Sequence, residues 1–114
     1  MATPTILIVD DNTVVRRTIV ALVQELGFAV TEAASAERAQ EIMETDRFDA
    51  LLCDDDLGDG LSGSELLTSG LTAMPAIVAL MSGQPRSSGL PRHIRYLPKP
   101  FTIVQLEDAL SGAP

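Results

Sequence analysis

The chain has 114 residues, 46% of them hydrophobic, and a net charge of −8. This size and composition suit a single domain over residues 1–114, and they exclude a disordered chain. The acidic balance disfavours a nucleic-acid partner or an anionic membrane surface, and no apolar run approaches the ~20 residues that a membrane-spanning helix needs.

Five short apolar runs have the length and composition of strands buried in a sheet. They are Thr5–Val9, Phe28–Ala33, Ala50–Cys53, Ala76–Met81 and Ile94–Leu97. Segments with helical spacing of apolar residues separate most of these runs. The first helix follows Asp11 or Asn12, either of which can cap it, and Gly27 is placed to end it. Further helices are predicted after Ser35, over Ser62–Leu67 and after Thr102.

Strands that alternate with helices predict a parallel sheet with right-handed crossovers and helices on both faces. The stretch 84–92 breaks the alternation because it contains two prolines, a glycine and two serines. We therefore do not expect a full helix between the fourth and fifth strands.

Four of the strand-like runs are followed by residues that can bind a phosphate or a metal. Asp10 and Asp11 follow the first run, Asp54 the third, Ser82 the fourth and Lys99 the fifth. Ligands of open parallel sheets bind beyond the carboxyl ends of the strands, at the point where the strand order reverses. We therefore expect these side chains to gather at one edge of the sheet.

Three aspartates at one place have a definite electrostatic requirement. Two carboxylates ~4 Å apart repel by about 4 kcal/mol at an effective dielectric constant of about 20. Such a cluster takes up protons unless a cation neutralises it, and Mg²⁺ is the natural hard cation for oxygen ligands. Lys99 and the Ser82 hydroxyl could then contact phosphoryl oxygens, while Asp54 attacks phosphorus and forms an acyl phosphate.

Several segments, in order along nearly the whole chain, resemble the receiver domains of two-component response regulators. The matching segments are Ile6–Asn12, Phe48–Asp54, Leu57, Gly60, Ser62–Gly63, Met81–Gly83 and Tyr96–Phe101. The resemblance implies an α/β fold of the flavodoxin-like kind, as in chemotaxis receivers, with a doubly wound five-stranded parallel sheet in the order 2-1-3-4-5. In this chain the family's helix 4 would be shortened or absent.

The same resemblance assigns roles to individual residues. Asp54, nine residues before Gly63, would be the phosphoacceptor, aided by Lys99. The metal ligands for Mg²⁺ would be Asp54, Asp11 directly, Asp10 through water, and the backbone carbonyl of Asp56. Ser82 and Tyr96 would be the switch residues, and the Lys99–Pro100 peptide would be cis.

The implied activity is that of a signalling switch and not of a metabolic enzyme. A histidine kinase or a histidine phosphotransfer protein would donate the phosphoryl group, which the receiver would slowly hydrolyse itself. The alternative is a protein-interaction domain with the same fold that is regulated without phosphate. The resemblance also allows a weak homodimer, although the change in helix 4 alters a surface that receivers commonly use for such contacts. Cys53 is the only cysteine and no signal peptide is evident, so we expect a cytoplasmic protein.

Several residues have competing interpretations. Asp55 and Asp56 compete with Asp54 as acceptor, or the three acids form a solvated turn. Asp56 lies two residues after Asp54, at a position that in receivers borders the path of hydrolytic water. We hypothesise that its charge changes the lifetime of the phosphate. Tyr96 could be a plain core aromatic, and His93 is interpreted as a surface residue.

Two other kinds of site share part of the acidic pattern. Asp54-x-Asp56 after an apolar strand resembles haloacid-dehalogenase-type phosphatases, but these usually have Thr or Val where Gly58 stands, and a longer chain. An EF-hand calcium loop that starts at Asp55 would place Leu66 at its final ligand position, where a carboxylate is needed. Both interpretations fail.

Overall fold

The computed structural model describes residues 2–70 and 73–112. Strands and helices alternate along this part of the chain, as the apolar runs predict. The strands are β1 (Thr5–Val9), β2 (Ala29–Ala33), β3 (Ala50–Asp54), β4 (Ile77–Ser82) and β5 (Ile94–Pro98). The helices are α1 (Thr13–Glu25), α2 (Ala36–Thr45), α3 (Gly63–Thr68) and α4 (Ile103–Ala109).

The five strands form one parallel sheet in the order β2-β1-β3-β4-β5, which confirms the doubly wound α/β fold. The strand order reverses between β1 and β3, the switch point at which such sheets bind ligands. The register pairs Val9 with Cys53 and Ser82 with Pro98. The carboxyl ends of these strands therefore reach the same edge of the sheet.

The core consists of two layers, one on each face of the sheet. Alternate residues of a strand point to opposite faces, so Leu7 and Val9 pack with α2 and α3, whereas Ile6 and Ile8 pack with α1 and α4. All five residues of β3 are buried. Burial on both faces explains why the central strands are continuous apolar runs in the sequence.

Local hydrogen bonds fix where each helix begins. Asn12, and not Asp11, caps α1, because its side chain accepts a hydrogen bond from the Val15 amide at 3.0 Å. Ser35, Ser62 and Thr102 cap the other three helices in the same way. Side-chain oxygens at these positions satisfy helix amides that otherwise lack a partner.

No helix connects β4 to β5, because residues 83–93 form only turns and bends. This confirms the expectation that the family's helix 4 is shortened or absent, and α4 is the helix that follows the fifth strand. Arg86 holds the segment in place by donating to the carbonyls of Ile94 at 2.8 Å and Pro91 at 2.9 Å. Leu90 anchors it in the core with 8% exposure.

None of the helices in the described part of the chain is long and apolar enough to cross a lipid bilayer.

Candidate phosphoryl and metal site

A cleft of about 460 Å³ opens at the carboxyl ends of the strands. It is lined by the six residues that the sequence predicts for metal and phosphoryl binding: Asp10, Asp11, Asp54, Asp56, Ser82 and Lys99. Tyr96 does not line this cleft. The sheet brings these residues together because parallel strands with matched register end at one edge.

Lys99 and Asp54 form an ion pair across the cleft, with 2.9 Å between Nζ and Oδ1. The Asp54 side chain is only 8% exposed, and burial raises the pKa of its carboxyl above the ordinary value. The Lys99 ammonium lowers that pKa in opposition. The Lys99 backbone is tied to the end of β4, because its amide donates to the Ser82 carbonyl at 2.8 Å. The Lys99–Pro100 peptide bond is cis, as the family resemblance predicts.

Asp10, Asp11 and Asp54 each present a carboxylate oxygen within 4.8 Å of the other two. Asp10 is buried, with 1% exposure, and its Oδ1 accepts a hydrogen bond from the Asn12 amide at 2.9 Å. Its other oxygen, Oδ2, is also buried but has no hydrogen-bond partner among the residues that the structure describes. Burial raises the pKa of Asp10, and the charge of Asp54 raises it further.

An unpartnered buried carboxylate oxygen is costly unless something else satisfies it. A divalent cation beside Asp10, Asp11 and Asp54 would offset two of the three negative charges and supply the missing partner for Asp10 Oδ2. An all-oxygen set with an exposed member, Asp11, leaves room for water ligands. This donor set therefore fits Mg²⁺, which keeps several waters in protein sites.

Arg16, on α1, contacts the backbone of the aspartate cluster, a contact that the sequence does not predict. Its Nη1 donates to the Asp10 carbonyl at 2.8 Å, and its Nε pairs with Glu32 on β2 at 2.9 Å. A basic residue in the second turn of a helix is common. No specific signal in the sequence therefore predicts that Arg16 contacts Asp10 or Glu32, the latter 16 residues away.

The loop after β3 runs close beside the cluster. A Cβ at Gly58, whose φ is 73°, would lie 3.1 Å from Asp11 Oδ2. Asp56 is exposed, and its Oδ1 accepts from the Gly58 amide at 3.2 Å. The carboxylate of Asp55 instead accepts from Ser64, at 3.0 Å from the amide and 2.7 Å from Oγ. Of the three consecutive acids, only Asp54 pairs with Lys99.

Ser82 lies between this cleft and a smaller cavity of about 150 Å³. Its Oγ accepts from the Gln84 amide at 3.0 Å. Tyr96, which is half-buried, lines the smaller cavity together with Ser82, Asp55 and Ser64. Tyr96 therefore lines a cavity that shares Ser82 with the acidic cleft, but it does not line the cleft itself.

Comparison with known proteins agrees with this architecture. A family model described as the response regulator receiver domain matches residues 6–111. The chain is 35% identical over 109 residues to the transcriptional activator protein PfeR of Pseudomonas aeruginosa, a match that covers 91% of this chain and 35% of the relative. The chain thus spans about a third of the length of that curated relative.

Solved structures give the same result. A response regulator receiver domain of Methylobacillus flagellatus matches with a TM-score of 0.82 and 29% identity, covering 99% of this chain and 100% of that one. A response regulator receiver protein of Sinorhizobium medicae matches with a TM-score of 0.81 and 26% identity, covering 96% of this chain and 92% of that one. The chain therefore belongs to the response regulator receiver domain family of two-component signalling.

Proposed function

We propose that this receiver domain accepts a phosphoryl group on Asp54, with Mg²⁺ held beside it, and thereby switches a protein-interaction surface. One observation carries the proposal. The nearly buried Asp54 carboxylate lies between the Lys99 ammonium, at 2.9 Å, and the carboxylates of Asp10 and Asp11, within 4.8 Å. A candidate cation site and the Lys99 ammonium thus both adjoin the Asp54 carboxylate.

In this proposal Asp10, Asp11 and Asp54 hold the metal, joined by the backbone carbonyl of Asp56. When bound, Mg²⁺ supplies positive charge to the phosphoryl oxygens and cancels the repulsion among the carboxylates. The unsatisfied Oδ2 of Asp10 supports this assignment, since a bound cation or its water would satisfy it. Arg16 keeps the Asp10 backbone in place from α1.

The Asp54 carboxylate is the nucleophile of the transfer. One of its oxygens bonds to phosphorus while the bond from phosphorus to the donor's imidazole nitrogen breaks, and the imidazole keeps that electron pair. Lys99 moves its ammonium from Asp54 Oδ1 to a phosphoryl oxygen, and the Ser82 hydroxyl donates to another. Fixed positive charge and donors at these oxygens stabilise the negative charge that they carry in the transition state.

Ser82 and Tyr96 are the proposed switch residues. The small cavity that both line lies next to the segment 83–93 and offers space into which the tyrosine ring can move. Movement of the Ser82 hydroxyl toward the phosphoryl group would then change the packing of Tyr96 and of this segment. Because residues 83–93 form no helix, the surface exposed there differs from that of receivers that have a helix between the fourth and fifth strands.

The partner in phosphoryl transfer is a histidine kinase or a histidine phosphotransfer protein, as is general for receivers of two-component systems. We propose that the chain forms one cytoplasmic receiver domain, with weak homodimerisation as its self-association. Its net charge of −8 opposes direct binding to nucleic acid or to anionic membranes.

Intact mass spectrometry tests the proposal. The protein is incubated with a small-molecule phosphodonor, with Mg²⁺ or with excess EDTA. We expect the mass to rise by one phosphoryl group only when Mg²⁺ is present, and not to rise in Asp54→Asn. Asp59→Asn, which changes an exposed acid of the same loop, is the matched control and should be phosphorylated normally. No mass gain in the parent would favour the interaction domain that works without phosphate.

A further inference from the structure

Asp55, the residue after the proposed acceptor, has hydrogen bonds in three directions. Its amide donates to the Met81 carbonyl on β4 at 2.9 Å, and its carbonyl accepts from the Gly63 amide at 3.0 Å. Its carboxylate Oδ1 accepts from both the amide and the hydroxyl of Ser64, at 3.0 and 2.7 Å. Asp55 thus joins the end of β3 to β4 and to α3.

These bonds complete the first turn of α3. The Gly63 amide is satisfied by the Asp55 carbonyl, the Ser64 amide by the Asp55 carboxylate, and the Glu65 amide by the Ser62 side chain at 3.1 Å. A helix of six residues makes few hydrogen bonds of its own. The position of α3 therefore depends strongly on Asp55, whose negative charge also suits a helix N-terminus.

The same bonds close the loop of residues 56–62 at its base. This loop contains Asp56 and runs so close to Asp11 that a Cβ added at Gly58 would lie 3.1 Å from Asp11 Oδ2. Gly63, at the far end of the loop, packs directly on the backbone of Asp54. Displacement of α3 would therefore move both the acceptor strand end and the loop that borders the acidic cluster.

We infer that Asp55 is a positioning residue for the metal site, which it preorganises by anchoring α3 and the loop 56–62 to the end of β3. This inference rests on the proposed function, because it assigns a support role beside the Mg²⁺ carboxylates. Groups that hold metal ligands in place commonly change metal affinity 10–100-fold when they are removed. The Asp55 carboxylate already binds two donors on Ser64, so anchoring is its role and phosphoryl acceptance belongs to Asp54.

Isothermal titration calorimetry of Mg²⁺ into the full chain tests the inference without phosphorylation. Asp55→Ala removes the carboxylate, and we expect the Kd for Mg²⁺ to rise about tenfold. Asp55→Asn keeps an oxygen that can accept both Ser64 bonds, so its Kd should stay within about threefold of the parent. Ser64→Ala removes only the hydrogen bond from the hydroxyl, so its Kd for Mg²⁺ should lie between those of Asp55→Asn and Asp55→Ala. Asp59→Ala, an exposed acid in the same loop, is the control for loss of negative charge.

The outcomes separate the inference from the proposed function. A parent chain that binds no Mg²⁺ would overturn the proposed function and this inference with it. A folded Asp55→Ala variant with the parent's Kd overturns the inference alone. So does an Asp55→Asn variant as weak as Asp55→Ala, because lost charge would then be the cause. Should Asp55→Ala not fold, a Kd for Ser64→Ala that equals the parent's overturns the inference, and a weakened one supports it.

Discussion

The backbone of Gly63 packs on that of Asp54 so closely that a Cβ at position 63 would overlap the Asp54 carbonyl oxygen. The atoms that this Cβ would overlap are all backbone atoms of Asp54 and Asp55, including Asp55 Cα, so a rotamer change cannot relieve the overlap. The first residue of α3 therefore packs directly on the end of β3. This contact, and not an unusual φ angle, explains why glycine stands at this position.

We expect Gly63→Ala to destabilise the fold by about 3 kcal/mol, because α3 or the end of β3 must shift to admit the methyl group. In a domain of this size that loss corresponds to a fall in Tm of roughly 10 °C. Thermal denaturation followed by circular dichroism measures it. Gly83→Ala is the matched control, since a Cβ there meets nothing within 4 Å. Equal Tm values for the two variants would show that the overlap is easily accommodated.

Asp10→Asn should stabilise the metal-free protein at neutral pH. Burial raises the pKa of folded Asp10 above its ordinary value of 3.8. Protonated Asp10 therefore contributes its full share of stability below pH 3.8, and this contribution is lost as the pH rises through the folded pKa and the carboxyl ionises. The neutral amide avoids that loss, so we expect a higher Tm than the parent's in EDTA at pH 7 and equal values near pH 3.

Saturating Mg²⁺ should reverse this order at pH 7, because the parent gains about 2.7 kcal/mol at a concentration of 100 Kd and the variant lacks a ligand. Asp108→Asn, an exposed acid on α4, should change neither comparison. A parent that remains less stable than Asp10→Asn in Mg²⁺ would argue against a cation at this cluster.

Lys99→Ala should slow phosphorylation by a small-molecule donor about 100-fold, because in the proposed transfer one donor to the transition-state oxygens would be lost. Lys99 is the only lysine in the sequence, so no neighbouring lysine can replace it. Arg at this position has a planar guanidinium in place of a compact ammonium, and Lys99→Arg should not restore the rate. Time courses of intact mass give the rates. Arg92→Ala, which removes an exposed positive charge, is the control, and a similar slowing there would point to net charge as the cause.

Glu37, on the first turn of α2, should titrate below its ordinary pKa of 4.5, because its carboxylate accepts the Leu61 amide at 3.1 Å. A lowered folded pKa means that this contact stabilises the fold above pH 4.5 and is lost as the pH falls through the folded value. Titration by nuclear magnetic resonance should give the same midpoint for the Glu37 carboxyl and the Leu61 amide. That amide transition should vanish in Glu37→Gln. A midpoint at or above 4.5 would exclude the contact in solution.

Asp56→Asn should change the lifetime of the phosphorylated protein. The Asp56 side chain is exposed at the cleft, with one oxygen bonded to the Gly58 amide. Its carboxylate adds negative charge to the cleft that contains Asp54. In the proposed phosphorylated state, that charge would act on the water that hydrolyses the phosphoryl group. Loss of the phosphoryl mass over time gives the rate for the parent, for Asp56→Asn and for the control Asp59→Asn. Equal rates for all three would dismiss a role for Asp56.

Much of the fold follows from local signals in the sequence. Continuous apolar runs predict buried strands because the central strands are covered on both faces. Capping residues such as Ser62 and Thr102 predict helix starts because their partners lie three residues away. The prolines of residues 84–92 predict that no full helix forms between the fourth and fifth strands. Apolar periodicity does not indicate which strands are neighbours, so only the family resemblance predicts the strand order.

The sequence by itself determined which chemical groups stand at the ends of the strands: Asp10, Asp54, Ser82 and Lys99. Only the tertiary structure decided which hydrogen-bond partners the residues around this site have. Asp55 binds Ser64 nine residues away, Glu37 binds Leu61 across 24 residues, and Arg16 reaches Glu32 across 16. Such partners depend on which elements the fold places side by side. The type of each residue determines which hydrogen bonds it can donate or accept. Which partner it binds depends on distance and burial in the folded chain.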